Sequence, residues 1–186
     1  EYTYDNIVSK HSIVTQSAIP LHFKSFDKAN EAAMQRHPFL AMIGELRDEG
    51  TVKAAVERSL TGHPVFATVH SSTVATVIKR LITRFPVEQQ ASAIADIVAT
   101  VRTVIAQRLV PRADDKGLVV AREYLIFTPE ISEHLGQLQD LNRIIPAIQT
   151  MVQTQGHSFK KEGERLYQEG LISEITRNRL SADEGL

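Results

Sequence analysis

The 186-residue chain contains no cysteine. That excludes a disulfide scaffold and any thiolate zinc site, and it fits a reducing compartment. No apolar run approaches the roughly 18–20 residues of a membrane-spanning helix. The opening Glu1-Tyr2-Thr3-Tyr4-Asp5 is not a secretory leader, and a first residue of Glu rather than Met suggests a processed or excised chain. An excess of charge is missing too, since 21 Lys and Arg stand against 22 Asp and Glu. No electrostatic footprint for nucleic acid or an anionic membrane is therefore present. Internal repeats and low-complexity segments are absent as well. What these absences leave is a soluble, intracellular globular protein, long enough to bury a sizeable core.

One more absence bears on chemistry. None of the nine glycines is followed by Lys, so the phosphate-cradling loop Gly-x-x-x-x-Gly-Lys-Ser/Thr does not occur. Yet the run Phe39-Leu40-Ala41-Met42-Ile43-Gly44-Glu45-Leu46-Arg47-Asp48 reads as an apolar strand that ends in a small residue and an acid–base–acid cluster. An α/β domain delivers a carboxylate to a phosphate site in this way, beyond the carboxyl end of a strand. The pattern looks like half of a nucleotide-hydrolysing site.

Around this run the chain alternates helices and strands. One or two short strands are expected over residues 7–19, ending at Pro20. Residues 25–36 carry Phe26, Ala29, Ala33 and Met34 at helical spacing, with Ser25 as N-cap and His37-Pro38 as the stop. Phe39 to Ile43 fits a strand buried on both faces of a parallel sheet. A helix is predicted over 49–60, with a strand over 64–69 after it. Ser71 or Ser72 should cap the next helix, with Val74, Val77, Ile78 and Leu81 on its apolar stripe. Residues 87–107 read as one long amphipathic helix, followed by a β-hairpin turning at Asp114-Asp115-Lys116-Gly117. After Thr128-Pro129 four short helices are expected, over 130–139, 144–154, 158–169 and 173–180. The expected fold class is α/β, with residues 1–128 as an α/β core and 129–186 as an all-helical subdomain.

Several residues are candidates for chemistry. A carboxylate at Glu45 would orient an attacking water or hold Mg²⁺ through water, and Gly44 leaves room beside it. The plainer alternative is an exposed loop acid, with Arg47 and Asp48 as solvated charges. His63 and His70 bracket a strand at an odd spacing, which points them to opposite faces and argues against a shared metal ion. His70 lies before Ser71 and Ser72, where a helix N-terminus favours a phosphate, although a lone His is more often a hydrogen-bonded structural residue. Arg36, Arg47, Arg102, Arg108, Arg112 and Arg122 include possible phosphate clamps, or else ion-pair partners on the surface.

Five stretches together resemble a known family. Ile43-Gly44-Glu45-Leu46-Arg47-Asp48 is similar to the Walker B segment of the PilT-like secretion and pilus-motor ATPases. Thr61-Gly62-His63-Pro64-Val65-Phe66-Ala67-Thr68-Val69-His70-Ser71-Ser72 resembles their His box, at the expected spacing. The likeness continues through Gln107-Arg108-Leu109-Val110-Pro111-Arg112, Arg122-Glu123-Tyr124-Leu125-Ile126-Phe127 and Gly170-Leu171-Ile172-Ser173. Within the family, the opening and tail look closest to the DotB/TraJ type of type IVB secretion and conjugation systems.

The resemblance implies a partial RecA-like ATPase core with a C-terminal all-helical subdomain, the Walker A loop lying upstream of Glu1. Glu45 would then be the catalytic carboxylate and His70 the residue on the γ-phosphate side. Arg47, His63 and Thr68 would support the nucleotide, and Glu1 would be the last acid of the family's Asp box. The whole parent would use ATP and Mg²⁺, assemble as a homohexamer and engage inner-membrane components of a secretion apparatus. It would be cytoplasmic and peripheral at that membrane, with no direct nucleic-acid binding. The 186 residues alone are expected to be inactive. Gln35 and Ala18 depart from the family, which often has Arg and an acid at those positions, so the interactions made there are not expected. The competing reading is a non-catalytic module that docks a partner of the apparatus.

Overall fold

The computed structural model describes residues 10–182, and the chain divides into two compact units between Val69 and His70. The expected composition boundary at residues 128–129 falls inside the second unit.

The first unit contains α1 (Phe26–Gln35), β1 (Ala41–Ile43), α2 (Glu49–Leu60) and β2 (Val65–Ala67). Helix α1 starts as expected, with the Ser25 hydroxyl accepting the Lys28 N–H at 3.4 Å. His37, at φ +45°, turns the chain out of the helix ahead of Pro38. Strands β1 and β2 pair in parallel, with Ala41 opposite Val65, Met42 opposite Phe66 and Ile43 opposite Ala67. A parallel pair needs a crossover, and α2 supplies it. Its start is fixed by a capping box. The Asp48 side chain accepts the Thr51 N–H at 2.8 Å, and the Thr51 hydroxyl accepts the Asp48 N–H at 3.2 Å.

Two expectations for this unit are corrected. Residues 10–19 form no strand, because β-branched composition yields a strand only where a partner offers ladder hydrogen bonds, and none of the described residues does so here. Strand β1 is not buried on both faces either. Phe39 is 93% exposed and Met42 58%, since the described sheet of this unit has only two strands.

The second unit holds α3 (Val74–Ile82), a 3-10 turn at Val87–Gln89, α4 (Gln90–Thr100), β3 (Thr103–Pro111) and β4 (Leu118–Ile126). Helices α5 (Pro129–Leu138), α6 (Leu141–Thr154), α7 (Phe159–Gln168) and α8 (Glu174–Ala182) follow, close to the four expected. The buried stripe of α3 (Val74, Val77, Ile78, Leu81, Ile82) belongs to a helix that packs on α6, where Ile144, Ile148 and Val152 are buried. Each such fully buried aliphatic side chain contributes about 1.5–3 kcal/mol. Thr73, not Ser71 or Ser72, caps α3, because its hydroxyl and that of Thr76 each serve the other's backbone N–H.

The long helix expected over 87–107 ends at Thr100, and residues 103–107 join the hairpin. Their parity decides this. Val104 and Ala106 are buried while Thr103, Ile105 and Gln107 face out, a period of two that a helix does not satisfy. β3 and β4 pair antiparallel from Thr103 opposite Ile126 to Pro111 opposite Leu118. The turn uses Asp115 (φ +55°) and Gly117 (φ +103°), as the sequence suggests. On the inward face, Ala106 and Ala121 leave space for Phe159, Leu166, Ile172 and Leu180 from the helical tail. The outward face keeps Ile105, Leu109, Leu118, Val120 and Ile126 exposed.

Beyond β4 the chain returns to it once more. Tyr124 and His157 exchange backbone hydrogen bonds of 2.9 and 3.0 Å, and their rings stack at 5.2 Å. Gly156 makes this approach possible, since a Cβ there would lie 2.6 Å from the Tyr124 carbonyl oxygen. Next to it, buried Glu162 accepts from His157 Nε2 at 2.8 Å and from Arg165 Nε and Nη2 at 3.0 Å each. Burial alone would raise the Glu162 carboxyl. The hydrogen bonds from Arg165 and His157 outweigh it and hold the group below its ordinary value.

Candidate functional site

The parallel pairing of β1 and β2 sets the geometry of the first unit's site. Both strands run the same way in register, so Gly44 and Glu45 leave the sheet at the same end as Thr68. Past the last paired residues, the Leu46 N–H donates to the Thr68 carbonyl at 3.0 Å, and the Thr68 hydroxyl donates to the Gly44 carbonyl. Thr68 thus clamps the residue that precedes Glu45.

The Glu45 side chain is only 13% exposed and accepts from Arg47 Nε at 2.6 Å. The Arg47 side chain is 58% exposed, so this pair orients the carboxylate more than it stabilises the fold. Asp48, though exposed, is the N-cap of α2 and anchors the far side of the turn. Nothing lies within 4 Å of where a Gly44 Cβ would stand, so the space beside Glu45 is open. Glu45 lines a cavity of about 560 Å³ together with Ser17, Arg36, Arg47 and Arg58.

His63 lies on the turn before β2, held by Thr61 Oγ1 at 3.2 Å from its Nδ1 and by its own N–H to the Arg58 carbonyl. Of the expected site residues, Glu45, Arg47, His63 and Thr68 therefore belong to one unit. His70 opens the other, exposed and four residues before α3 begins. Glu1 lies outside the described residues.

The helix N-terminus beyond His70 is already partly occupied. The first N–H of α3, that of Val74, is taken by the Glu123 carboxylate at 2.8 Å. Besides Arg47, three of the candidate arginines have structural partners. Arg112 pairs with Asp114 at 2.9 Å in the hairpin turn, and Arg122 approaches Glu162 at 3.7 Å. Arg108 lies 4.3 Å from the centre of the Phe159 ring and donates to the Ser72 carbonyl at 3.4 Å.

Besides Glu162, two buried charged residues escaped the sequence reading. Glu123 was signalled by strand parity, because it alternates with Ala121 and Leu125 on the inward face of β4. Arg58 was not. It is 3% exposed on α2, its Nη2 meets Asn30 Oδ1 at 3.2 Å, and burial lowers its pKa below the ordinary value.

The chain as a whole is similar to known proteins. The model of the type II/IV secretion system protein family matches residues 10–176. The solved structure of the ATPase DotB of Yersinia pseudotuberculosis is 47% identical with a TM-score of 0.88, over 97% of this chain and 46% of that one. DotB of Legionella pneumophila is 37% identical with a TM-score of 0.87, over 96% of this chain and 48% of that one. The type IV pilus retraction ATPase PilT of Pseudomonas aeruginosa is 32% identical over 142 residues, which make up 76% of this chain and 41% of that protein. The chain spans about half the length of the relatives it matches.

Proposed function

Because the chain belongs to the type II/IV secretion system protein family, we propose that it is the C-terminal part of a traffic ATPase. In the whole protein, ATP hydrolysis would drive secretion, conjugation or pilus dynamics. The observation that carries this reading is the placement of Glu45 at the carboxyl end of parallel β1, beside an open Gly44 and level with Thr68. Ligands of parallel sheets bind at that end.

The donor set fits the chemistry. Mg²⁺ and an attacking water both call for hard oxygen partners, and Glu45 offers a largely buried carboxylate fixed in direction by Arg47. ATP with Mg²⁺ would supply the phosphoryl group and neutralise its charge. Glu45 serves as the water-orienting Walker B carboxylate. His70 of the His box meets the terminal phosphate, with Arg47, His63, Thr68 and Glu1 in support. The phosphate-cradling loop comes from sequence upstream of residue 1. In this reading the ATPase core runs to residue 128 and the helical subdomain from 129. The whole protein is a homohexamer on the cytoplasmic side of the inner membrane, where it engages the secretion apparatus.

The test is Glu45→Gln in the full-length protein. Turnover of ATP should fall by at least about a hundredfold, the scale of losing a positioned acid–base group. Hexamer mass and nucleotide binding should stay as they were. Residues 1–186 alone should bind ATP weakly, and micromolar affinity in a calorimetric titration would refute the division of the site. A docking module is the second reading, favoured by the exposed apolar face of the hairpin. It requires full biological activity in the Glu45→Gln variant.

A further inference from the structure

We propose that Glu123 is a positioning residue for the His70 loop, holding it through the first turn of α3. This rests on reading His70 as the phosphate-side residue of an ATPase.

The first turn of any helix leaves N–H groups without intrahelical partners. In α3, Thr73 serves the N–H of Thr76 at 3.1 Å. The Val74 N–H is served from 49 residues away, by Glu123 Oε1 at 2.8 Å. Glu123 is only 4% exposed, and a carboxylate facing the positive end of a helix is the most favourable partner that position can have. An apolar residue would be the ordinary choice on this face of β4, where Ala121 and Leu125 are fully buried.

A second contact from the hairpin acts on the same loop. Arg108, on β3, donates to the Ser72 carbonyl at 3.4 Å while its guanidinium rests on the Phe159 ring. Register places Arg108 opposite Ala121, one inward position along β4 from Glu123. Ser71 is tied as well, through its hydroxyl to Thr76 Oγ1 at 2.8 Å. Ser72 and Val74 are thus tied to the hairpin, while Ser71 and Thr73 are tied to Thr76 in the first turn of α3. His70 itself is the exposed residue at the head of this fixed segment.

The arrangement has a chemical consequence. The carboxylate occupies the end of α3, so a phosphate oxygen approaching from the His70 side meets the His70 side chain rather than the helix N-terminus. Glu123 accordingly sets where His70 stands without touching the nucleotide.

The test has two arms. In the first, amide hydrogen exchange of the full-length protein is followed at Val74 without nucleotide. Glu123→Ala should speed exchange by about tenfold or more, as expected for losing a charge-assisted hydrogen bond. Glu123→Gln keeps an acceptor and should stay within about threefold of wild type. Unchanged exchange in Glu123→Ala overturns the proposal. In the second arm, ATP turnover should show kcat lowered about tenfold in Glu123→Ala, with KM within about threefold and most of kcat restored by Glu123→Gln. Faster exchange with kcat intact also overturns it. Should Glu123→Ala fail to fold, Arg108→Met must give the same kcat-against-KM split by freeing Ser72. The exchange arm needs no catalysis. Faster exchange in Glu123→Ala together with full turnover in Glu45→Gln would therefore fault the ATPase reading and leave the anchor standing.

Discussion

Gly156→Ala isolates a single backbone approach whose energetics follow from the geometry. An alanine Cβ would stand 2.6 Å from the Tyr124 carbonyl oxygen and 3.1 Å from Val152 Cα and O. Carbon and oxygen settle at roughly 3.3 Å or more, so the chain must retreat by about 0.7 Å. Helix α6 blocks one direction and β4 the other. What yields is the pair of hydrogen bonds between Tyr124 and His157, now 2.9 and 3.0 Å. Each is worth about 0.5–1.5 kcal/mol net, and residual strain brings the expected loss to roughly 2–4 kcal/mol. For a chain of this size that lowers Tm by about 5–15 °C. Gly170→Ala is the control. It has open space around it, but its φ of +70° makes the substitution cost only about 1 kcal/mol. Thermal melting followed by circular dichroism gives the magnitudes, and amide exchange at Tyr124 and His157 locates the damage. A Gly156→Ala protein within about 0.5 kcal/mol of wild type would refute the argument from close approach.

Two further predictions concern the other polar anchors. The Glu162 carboxyl is held below its ordinary value of 4.5, so its contribution to stability is complete above that value and is lost as pH falls through the lower folded one. Glu162→Gln should therefore cost about 1–3 kcal/mol at neutral pH and flatten the stability–pH curve below about pH 4.5, read from urea melts across that range. An acid limb as steep as the wild type's would contradict the assignment. Asp48→Ala removes the cap of α2 and should cost about 1 kcal/mol, with faster exchange at the Thr51 amide. No change at that amide would show the cap to be idle.

The elements that could be read from sequence were those with their own local logic. Helix α2 carries its apolar spacing, though its Asp48 cap emerged only in the structure, and the hairpin carries Asp115 and Gly117 at its turn. The placement of Glu45 just past the end of β1 could be read because an apolar strand, a glycine and an acid follow one another without interruption. The failures share a cause, which is that partners distant in sequence made the decision. Residues 103–107 continue the apolar spacing of α4, yet pairing with β4 claims them. Residues 10–19 have the composition of a strand but meet no ladder. Glu123 reads as an ordinary strand acid until Val74, 49 residues earlier, is seen to donate to it. Arg58 gives no local sign of burial, and its hydrogen bond to Asn30 of α1, 28 residues earlier, emerges only in the fold.

The outward face of the hairpin has a colloidal consequence. Ile105 stands directly opposite Tyr124, Leu109 opposite Val120, and Pro111 opposite Leu118, so apolar side chains form cross-strand pairs along a solvent-facing ribbon. Exposed apolar pairs of this kind, here on either side of the polar Gln107–Arg122 pair, favour association between molecules. Residues 1–186 in isolation should thus be limited by solubility rather than by folding, with self-association that grows with protein concentration and with sulfate, which strengthens apolar contacts.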